Sequence, residues 1–235
     1  MISVVIPALN AEACLTRTLG ALVPAAVDGI VRELIIADGG SADRTIELAD
    51  DAGAVIVKTE RGRGVQLIAG AERAKSPWLL FLHADTVLAP EWAIEAAQFM
   101  GAVDRGARGQ AAAVFRFALD DHGVPPRLLE RLVALRASLM KLPFGDQGLL
   151  ISRRLYDEIG GFKPLAIMED VDLVRRLGRR RLVLLHARAL TSAARYRREG
   201  YLKRVLRNQT CLSLYFAGVP VEKIAKIYEG RAGRA

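Results

Sequence analysis

Cysteine is almost missing from this chain: Cys14 and Cys211 are the only two among 235 residues. They are far apart and flanked by nothing resembling a metal cluster, which excludes a disulfide framework and fits a reducing compartment. Long apolar runs are missing too. The late stretch from Asn208 to Val219 is too short, and too polar at its start, to span a bilayer. No basic leader precedes the apolar run Ile2-Ser3-Val4-Val5-Ile6, so no secretory signal is expected and the reading is cytoplasmic. The first apolar run is not followed by Gly-x-Gly-x-x-Gly, which counts against a dinucleotide site, and there is no Walker loop. Internal repeats, low-complexity segments and clear linkers are absent as well. The basic residues lack aromatic interleaving and any known module, which argues against nucleic acid as a partner.

What is present is ordinary in bulk and uneven in charge. Hydrophobic residues make up 51% and charged residues 26%, as in a soluble globular chain long enough for a full sheet-plus-helix core. The net charge is +8, and from Thr191 onward ten basic residues face only three acids, nearly the whole excess. Such a tail suits an anionic membrane, a nucleic acid or a polyanionic substrate, and equally a solvated surface.

The stretch that organises the rest is Trp78-Leu79-Leu80-Phe81-Leu82-His83-Ala84-Asp85-Thr86. Five bulky apolar residues without alternation read as a strand buried on both faces. Ligands on such sheets bind beyond the carboxyl ends of the strands, which puts His83 and Asp85 at that edge. A carboxylate there can anchor a divalent ion holding a phosphorylated substrate, or simply begin a loop. Before it, Ile2 to Pro7, Val31 to Ala37 and Ala54 to Val57 read as strands, with helices between them. Asn10 and Ser41 are natural caps for two of these helices, and a third helix runs from about Val65 to Ala74. This alternation predicts parallel βαβ units with right-handed crossovers.

After Pro90 a helix is expected to about Val103, then a strand from Gln110 to Leu119 and a basic amphipathic helix to about Leu142. Phe144-Gly145-Asp146-Gln147-Gly148 leads into a strand at Leu149 to Ser152. Met168-Glu169-Asp170-Val171-Asp172-Leu173 opens a helix, and Leu182 to Leu185 forms a late strand leading to His186, which follows it. In the tail, Tyr201, Leu202, Val205, Leu206, Leu212, Tyr215 and Phe216 fall along one helical flank, with Lys203, Arg204 and Arg207 nearby. That flank can lie in a membrane interface, dock on the core or meet a second subunit.

With these motifs in place the sequence resembles glycosyltransferase family 2, over roughly Ile2 to Tyr196. The motifs are Val5-Ile6-Pro7-Ala8-Leu9-Asn10-Ala11-Glu12, Ala37-Asp38-Gly39-Gly40-Ser41-Ala42-Asp43-Arg44-Thr45, Arg61-Gly62-Arg63-Gly64-Val65-Gln66, His83-Ala84-Asp85 and Met168-Glu169-Asp170. It is similar in particular to a small bacterial subgroup with His-Ala-Asp-Thr and Gly-Asp-Gln-Gly motifs. The resemblance implies an α/β fold of GT-A type: an open, mostly parallel nucleotide-binding sheet flanked by helices. It also implies a catalytic domain over residues 1–196 and a C-terminal amphipathic helical appendage over 197–235.

The implied donor is a nucleoside-diphosphate sugar, UDP- or GDP-linked, and the acceptor a hydroxyl on a lipid or other small molecule at the inner membrane face. Pro7, Ala8, Asn10 and Glu12 would line the nucleoside, with Asp38 and Gly39 beside the base. Arg61, Gly62, Arg63 and Gln66 would approach the base or diphosphate. Asp85 corresponds to the last acid of the family's Asp-x-Asp motif, and His83 replaces the first. That softer set admits Mn²⁺ as readily as Mg²⁺. His186 sits where many such enzymes carry a further metal-binding histidine, although a structural histidine is the alternative there. The implied base for inversion is Asp170, with Glu169 beside it. Gly145, Asp146 and Gln147 would form the acceptor side, and Arg195 and Arg197 would close over the diphosphate. A catalytically weak nucleotide-sugar-binding protein on the same scaffold is the competing expectation, and a sugar-phosphate nucleotidyltransferase a third.

Overall fold

The structure, a computed structural model, describes residues 1–139 and 145–229. The expected end of the basic amphipathic helix near Leu142, Phe144, Arg231 and Arg234 therefore lie outside the described residues. Eight strands form one sheet: β1 (Ile2–Ala8), β2 (Val31–Asp38), β3 (Val55–Lys58), β4 (Trp78–Phe81), β5 (Thr86–Leu88), β6 (Ala112–Leu119), β7 (Leu149–Ser152) and β8 (Leu182–Thr191). Their order across the sheet is β3-β2-β1-β4-β7-β6-β8-β5. The first half is parallel as the strand–helix alternation predicts. The second half is mixed: β7 runs antiparallel to β4 and β6, β5 antiparallel to β8, and β6 parallel to β8.

The helices are α1 (Glu12–Gly20), α2 (Val23–Val27), α3 (Thr45–Asp51), α4 (Arg63–Arg73), α5 (Trp92–Asp104), α6 (Val124–Leu139), α7 (Arg153–Glu158), α8 (Glu169–Leu177), α9 (Ala194–Glu199), α10 (Tyr201–Phe216) and α11 (Val221–Glu229). Strand periodicity divides the core in two. Val4, Ile6, Leu80 and Leu82 face α1 and α5, packing with Leu15, Trp92 and Phe99. Val5, Leu79 and Phe81 face the other way, against Leu67 of α4 and Leu173 and Val174 of α8. Gly70 lets α4 lie close to the sheet, because a Cβ there would come within 2.3 Å of Val5 Cγ1.

The tail packs on the body of the molecule. Cys211, Leu212 and Ile224 bury against Ile167, Met168 and Val171, while Tyr201 and Val205 join Phe117, Leu119, Leu129 and Val133. Arg204 is buried and stacks its guanidinium over Tyr228, 4.4 Å from the ring centre. The expected single apolar flank is thus split: Tyr201, Val205, Leu212 and Tyr215 turn inward, and Leu202, Leu206 and Phe216 stay exposed.

Candidate active site

The register sets Ala8 beside Asp38 and Val5 beside Phe81, so β1, β2 and β4 end at one edge. Leu149, the first residue of β7, pairs with Phe81, which brings the loop before β7 to the same edge. The loops after β1 and β2 are laced together. Asn10 donates its N–H to Ser41 Oγ (2.9 Å) and accepts from Ala42 N–H at Oδ1 (2.9 Å). Glu12 N–H donates to Asp43 Oδ2 (3.0 Å), and Glu12 Oε2 accepts from Arg44 N–H (3.2 Å). Asp38 is buried and accepts from the N–H groups of Gly40 and Ser41 within its own turn.

These contacts correct several sequence expectations. Asn10 does not cap α1, whose cap position is Ala11; its backbone is left-handed, φ 50°, which asparagine tolerates. Ser41 does not cap α3; Asp43 accepts from Thr45 N–H instead (3.0 Å). The Gln66 amide is buried and donates to Ala8 O (2.7 Å) and Ala37 O (2.8 Å), pinning the ends of two strands instead of facing a pocket. Gly39 lies against that amide, where a Cβ would come 3.0 Å from Nε2. Pro7 is half-buried at the same edge and Arg61 is exposed beyond it.

The second half of the site is built around α8. Met168, just ahead of the helix, holds φ 65°, a conformation that costs a non-glycine residue energy and clusters at functional sites. Asp170 accepts from Val171 N–H at Oδ1 (2.7 Å) and from Gly145 N–H at Oδ2 (2.6 Å). A Cβ on Gly145 would lie 2.8 Å from His83 Nε2 and 3.3 Å from Asp170 Oδ2, so only glycine fits where these two side chains meet. A pocket beneath them is lined by His83, Gly145, Glu169, Asp170, Phe81 and Phe162.

Arg63, on the first turn of α4, is the hub of the charges. It stands 3.5 Å from Glu169 Oε1 with about a third of its side chain exposed (32%). Burial works against its charge, and the carboxylates of Glu169, Asp170 and Asp85, with Tyr228, more than offset this and raise its pKa. Residues 63, 85 and 170, distant in sequence, therefore share one electrostatic neighbourhood. Burial, with Asp170 beside it and Arg63 opposing, pushes Glu169 up to about 7, and its Oε2 is buried with no hydrogen-bond partner among the described residues. Burial, with Arg63 and Arg195 nearby, holds His83 well below 6.5, so its imidazole is neutral at pH 7.

Other expected site residues fall elsewhere. His186 is in the middle of β8, not after it, and is exposed. Its N–H donates to Glu95 Oε2 (2.8 Å). Asp85 meets that strand's far end, where its carbonyl accepts from Ser192 N–H (3.1 Å). Six residues of extended chain, roughly 20 Å, separate the two, so His186 cannot join Asp85 on one ion. Arg197 is held by other partners, donating to Asp120 O (2.9 Å) and lying 3.7 Å from Asp121. Arg195 is exposed, and it is near enough for its charge to act on His83 and Cys14. Gln147 is buried, its amide donating to Phe115 O (2.9 Å), and Asp146 O accepts from Thr191 Oγ1 (3.1 Å). Of that loop, Gly145 is the residue placed between His83 and Asp170.

Two neighbours of the site gave no sequence signal. Cys14, half-buried on α1, is raised by burial and by Asp85 and Asp43. The 163–165 segment covers the start of α4 so closely that a Cβ on Gly64 would lie 2.4 Å from Lys163 O.

No group of three or more His, Cys, Asp or Glu side chains is arranged for a metal among the described residues. The donor set is nonetheless apt for a divalent ion shared with a ligand. Ala84 lies between a half-buried carboxylate, Asp85, and a neutral imidazole, His83. Phosphate oxygens would complete such a shell.

The model for glycosyl transferase family 2 matches residues 3–114, the parallel half of the sheet with the ends of β1, β2 and β4. A PGL/p-HBAD biosynthesis glycosyltransferase of Mycobacterium tuberculosis is 35% identical over 101 residues, covering 37% of this chain and 36% of its own. Glucosyl-3-phosphoglycerate synthase of the same organism is 35% identical over 95 residues, 37% of this chain and 29% of its own. The chain thus spans about a third of the length of these relatives. Among solved structures, that synthase in complex with Mn²⁺ and UDP-glucose superposes with TM-score 0.62 at 25% identity, covering 94% of this chain and 80% of its own. TarS of S. aureus in complex with UDP-GlcNAc gives TM-score 0.61 at 17% identity, covering 81% and 58%. The eight-stranded α/β sheet with its flanking helices is a GT-A fold.

Proposed function

We propose that this protein is an inverting glycosyltransferase of family 2. It moves a sugar from a nucleoside-diphosphate sugar to a hydroxyl acceptor, lipid-linked or small, with Mn²⁺ or Mg²⁺ bound. The observation that carries the reading is the convergence of Asp85, Arg63, His83 and Asp170 at the carboxyl edge of the parallel strands. The synthase similar in structure was solved with Mn²⁺ and UDP-glucose, and TarS with UDP-GlcNAc, which favours a uridine donor over a guanosine one.

The residues divide the work. The laced loops at Asn10, Glu12 and Asp38 give the nucleoside a rigid floor, and Pro7 and Arg61 border it. Asp85, with neutral His83, would hold the divalent ion, which when bound offsets negative charge on the diphosphate. Arg63 and Arg195 add fixed positive charge on the same side. Asp170 takes the acceptor proton. Two backbone N–H groups, of Gly145 and Val171, hold its carboxylate in place. Glu169 positions Arg63 through their 3.5 Å contact.

The test is product stereochemistry and turnover with a panel of sugar nucleotides and Mn²⁺, in wild type and Asp170→Asn. Wild type is expected to use one nucleotide class and to invert the anomeric centre. Asp170→Asn should lose about 10²–10⁴ in rate while still binding donor. Retained configuration, or full transfer by Asp170→Asn, would overturn the assignment.

A further inference from the structure

Helix α6 carries an apolar stripe on its solvent side. Val124, Leu128 and Leu132, spaced four apart, are 78%, 56% and 51% exposed. Helix α10 repeats this with Leu202 and Leu206, 74% and 58% exposed. Leu129 and Val133 of α6 and Tyr201 and Val205 of α10 pack in one small core with Phe117 and Ala193. Each exposed pair is one position off those packed residues, so both pairs flank the same core on its outer side. Single exposed leucines are unremarkable, but stripes at helical spacing on two helices of one core mark an interaction surface.

Charge selects the partner. The acid of α6, Glu130, is turned inward, accepting from Leu119 N–H and Arg127, with 17% of its side chain exposed. The acid of α9, Glu199, is likewise held by Arg204 and Arg207 and 18% exposed. What faces solvent beside the leucines is basic: Arg131, Lys203 and Arg198. A second copy of this chain would bring two positive rims together. An anionic bilayer satisfies the leucines and the cations at once.

We propose that α6 and α10 form a face that docks on anionic membranes, the leucines entering the headgroup layer while the basic rim meets lipid phosphates. Among the described residues no helix is long and apolar enough to cross a membrane, so the contact is peripheral. Helix α9, whose Arg195 acts on His83, joins this face to the cleft in the chain. The proposal stands apart from the glycosyl-transfer reading, because it needs no donor or acceptor.

The test is co-sedimentation of the full chain with vesicles of phosphatidylcholine alone or mixed with phosphatidylglycerol. Binding is expected only to the mixed vesicles, falling as salt rises. It should weaken about tenfold or more in Leu128→Ser/Leu132→Ser, in Leu202→Ser/Leu206→Ser and in Arg131→Glu/Lys203→Glu. Far-UV circular dichroism and sedimentation velocity establish that each variant is folded. A wild-type chain that stays in solution with anionic vesicles, or leucine variants that bind as well as wild type, would overturn the proposal. So would a concentration-dependent dimer dissolved by the leucine changes, which would give the face to a second copy.

Discussion

Arg63 balances carboxylates that burial alone would leave poorly compensated. Glu169 is almost fully enclosed, and a buried carboxylate is costly unless paired. Its pKa stands at about 7, above the ordinary 4.5, so the protonated form is favoured in the folded state. The sign follows: the stability Glu169 contributes is fully present below pH 4.5 and is lost as pH rises through about 7. Urea unfolding of Glu169→Gln is therefore expected to match wild type near pH 4 and to exceed it above pH 7. In an Arg63→Ala background the gain at high pH should grow, since the compensating cation is gone. Equal curves at every pH would mean that Glu169 is not titrating where its surroundings place it. The residues of this cluster were legible in the sequence as motif members. Their partners were not, because every pairing that fixes them is long-range, as between Gly145 and Asp170 or Asn10 and Ser41. Gln66 shows the consequence. A polar side chain on the first turn of a helix reads as a ligand contact until the carbonyls of Ala8 and Ala37 are seen to take it.

Secondary elements were legible where burial is continuous. β4 is an unbroken apolar run buried on both faces, and β1 and the second half of β2 are nearly so, which makes them plain in the sequence. β8 looks shorter in the sequence than it is, because His186 and Arg188 interrupt the apolar run. They alternate with buried Ala187 and Ala189, a period of two that marks a strand with one open face. A register irregularity opposite Val114 to Arg116 adds to the disguise. β5 has only three residues and no pattern long enough to register. Helix α4 makes the sharpest demand of any element, since it approaches the sheet through Gly70. Gly70→Ala must displace Val5, which is fully buried, and should cost about 1–3 kcal/mol in chemical denaturation. An unchanged midpoint would show that α4 sits further from β1 than the structure has it.

Across the whole molecule the two halves of the sheet do different things. The parallel half supplies the edge at which β1, β2 and β4 end, and the antiparallel strand β7 turns the chain back so that Gly145 arrives beside His83. The C-terminal helices then brace the strained turn at Met168 from behind, through Cys211, Leu212 and Ile224. This bracing explains why the tail reads as amphipathic in sequence yet is largely committed to the core. On the proposed reading, donor binding rests on β4 with α4 and proton abstraction on α8, so the two are expected to be separable by mutation. The most direct measurement is thermal stabilisation by UDP with and without Mn²⁺ in wild type, Asp85→Ala and Asp170→Asn. The account predicts a metal-dependent rise in Tm for wild type and Asp170→Asn, absent in Asp85→Ala. Equal stabilisation of Asp85→Ala and wild type would contradict it.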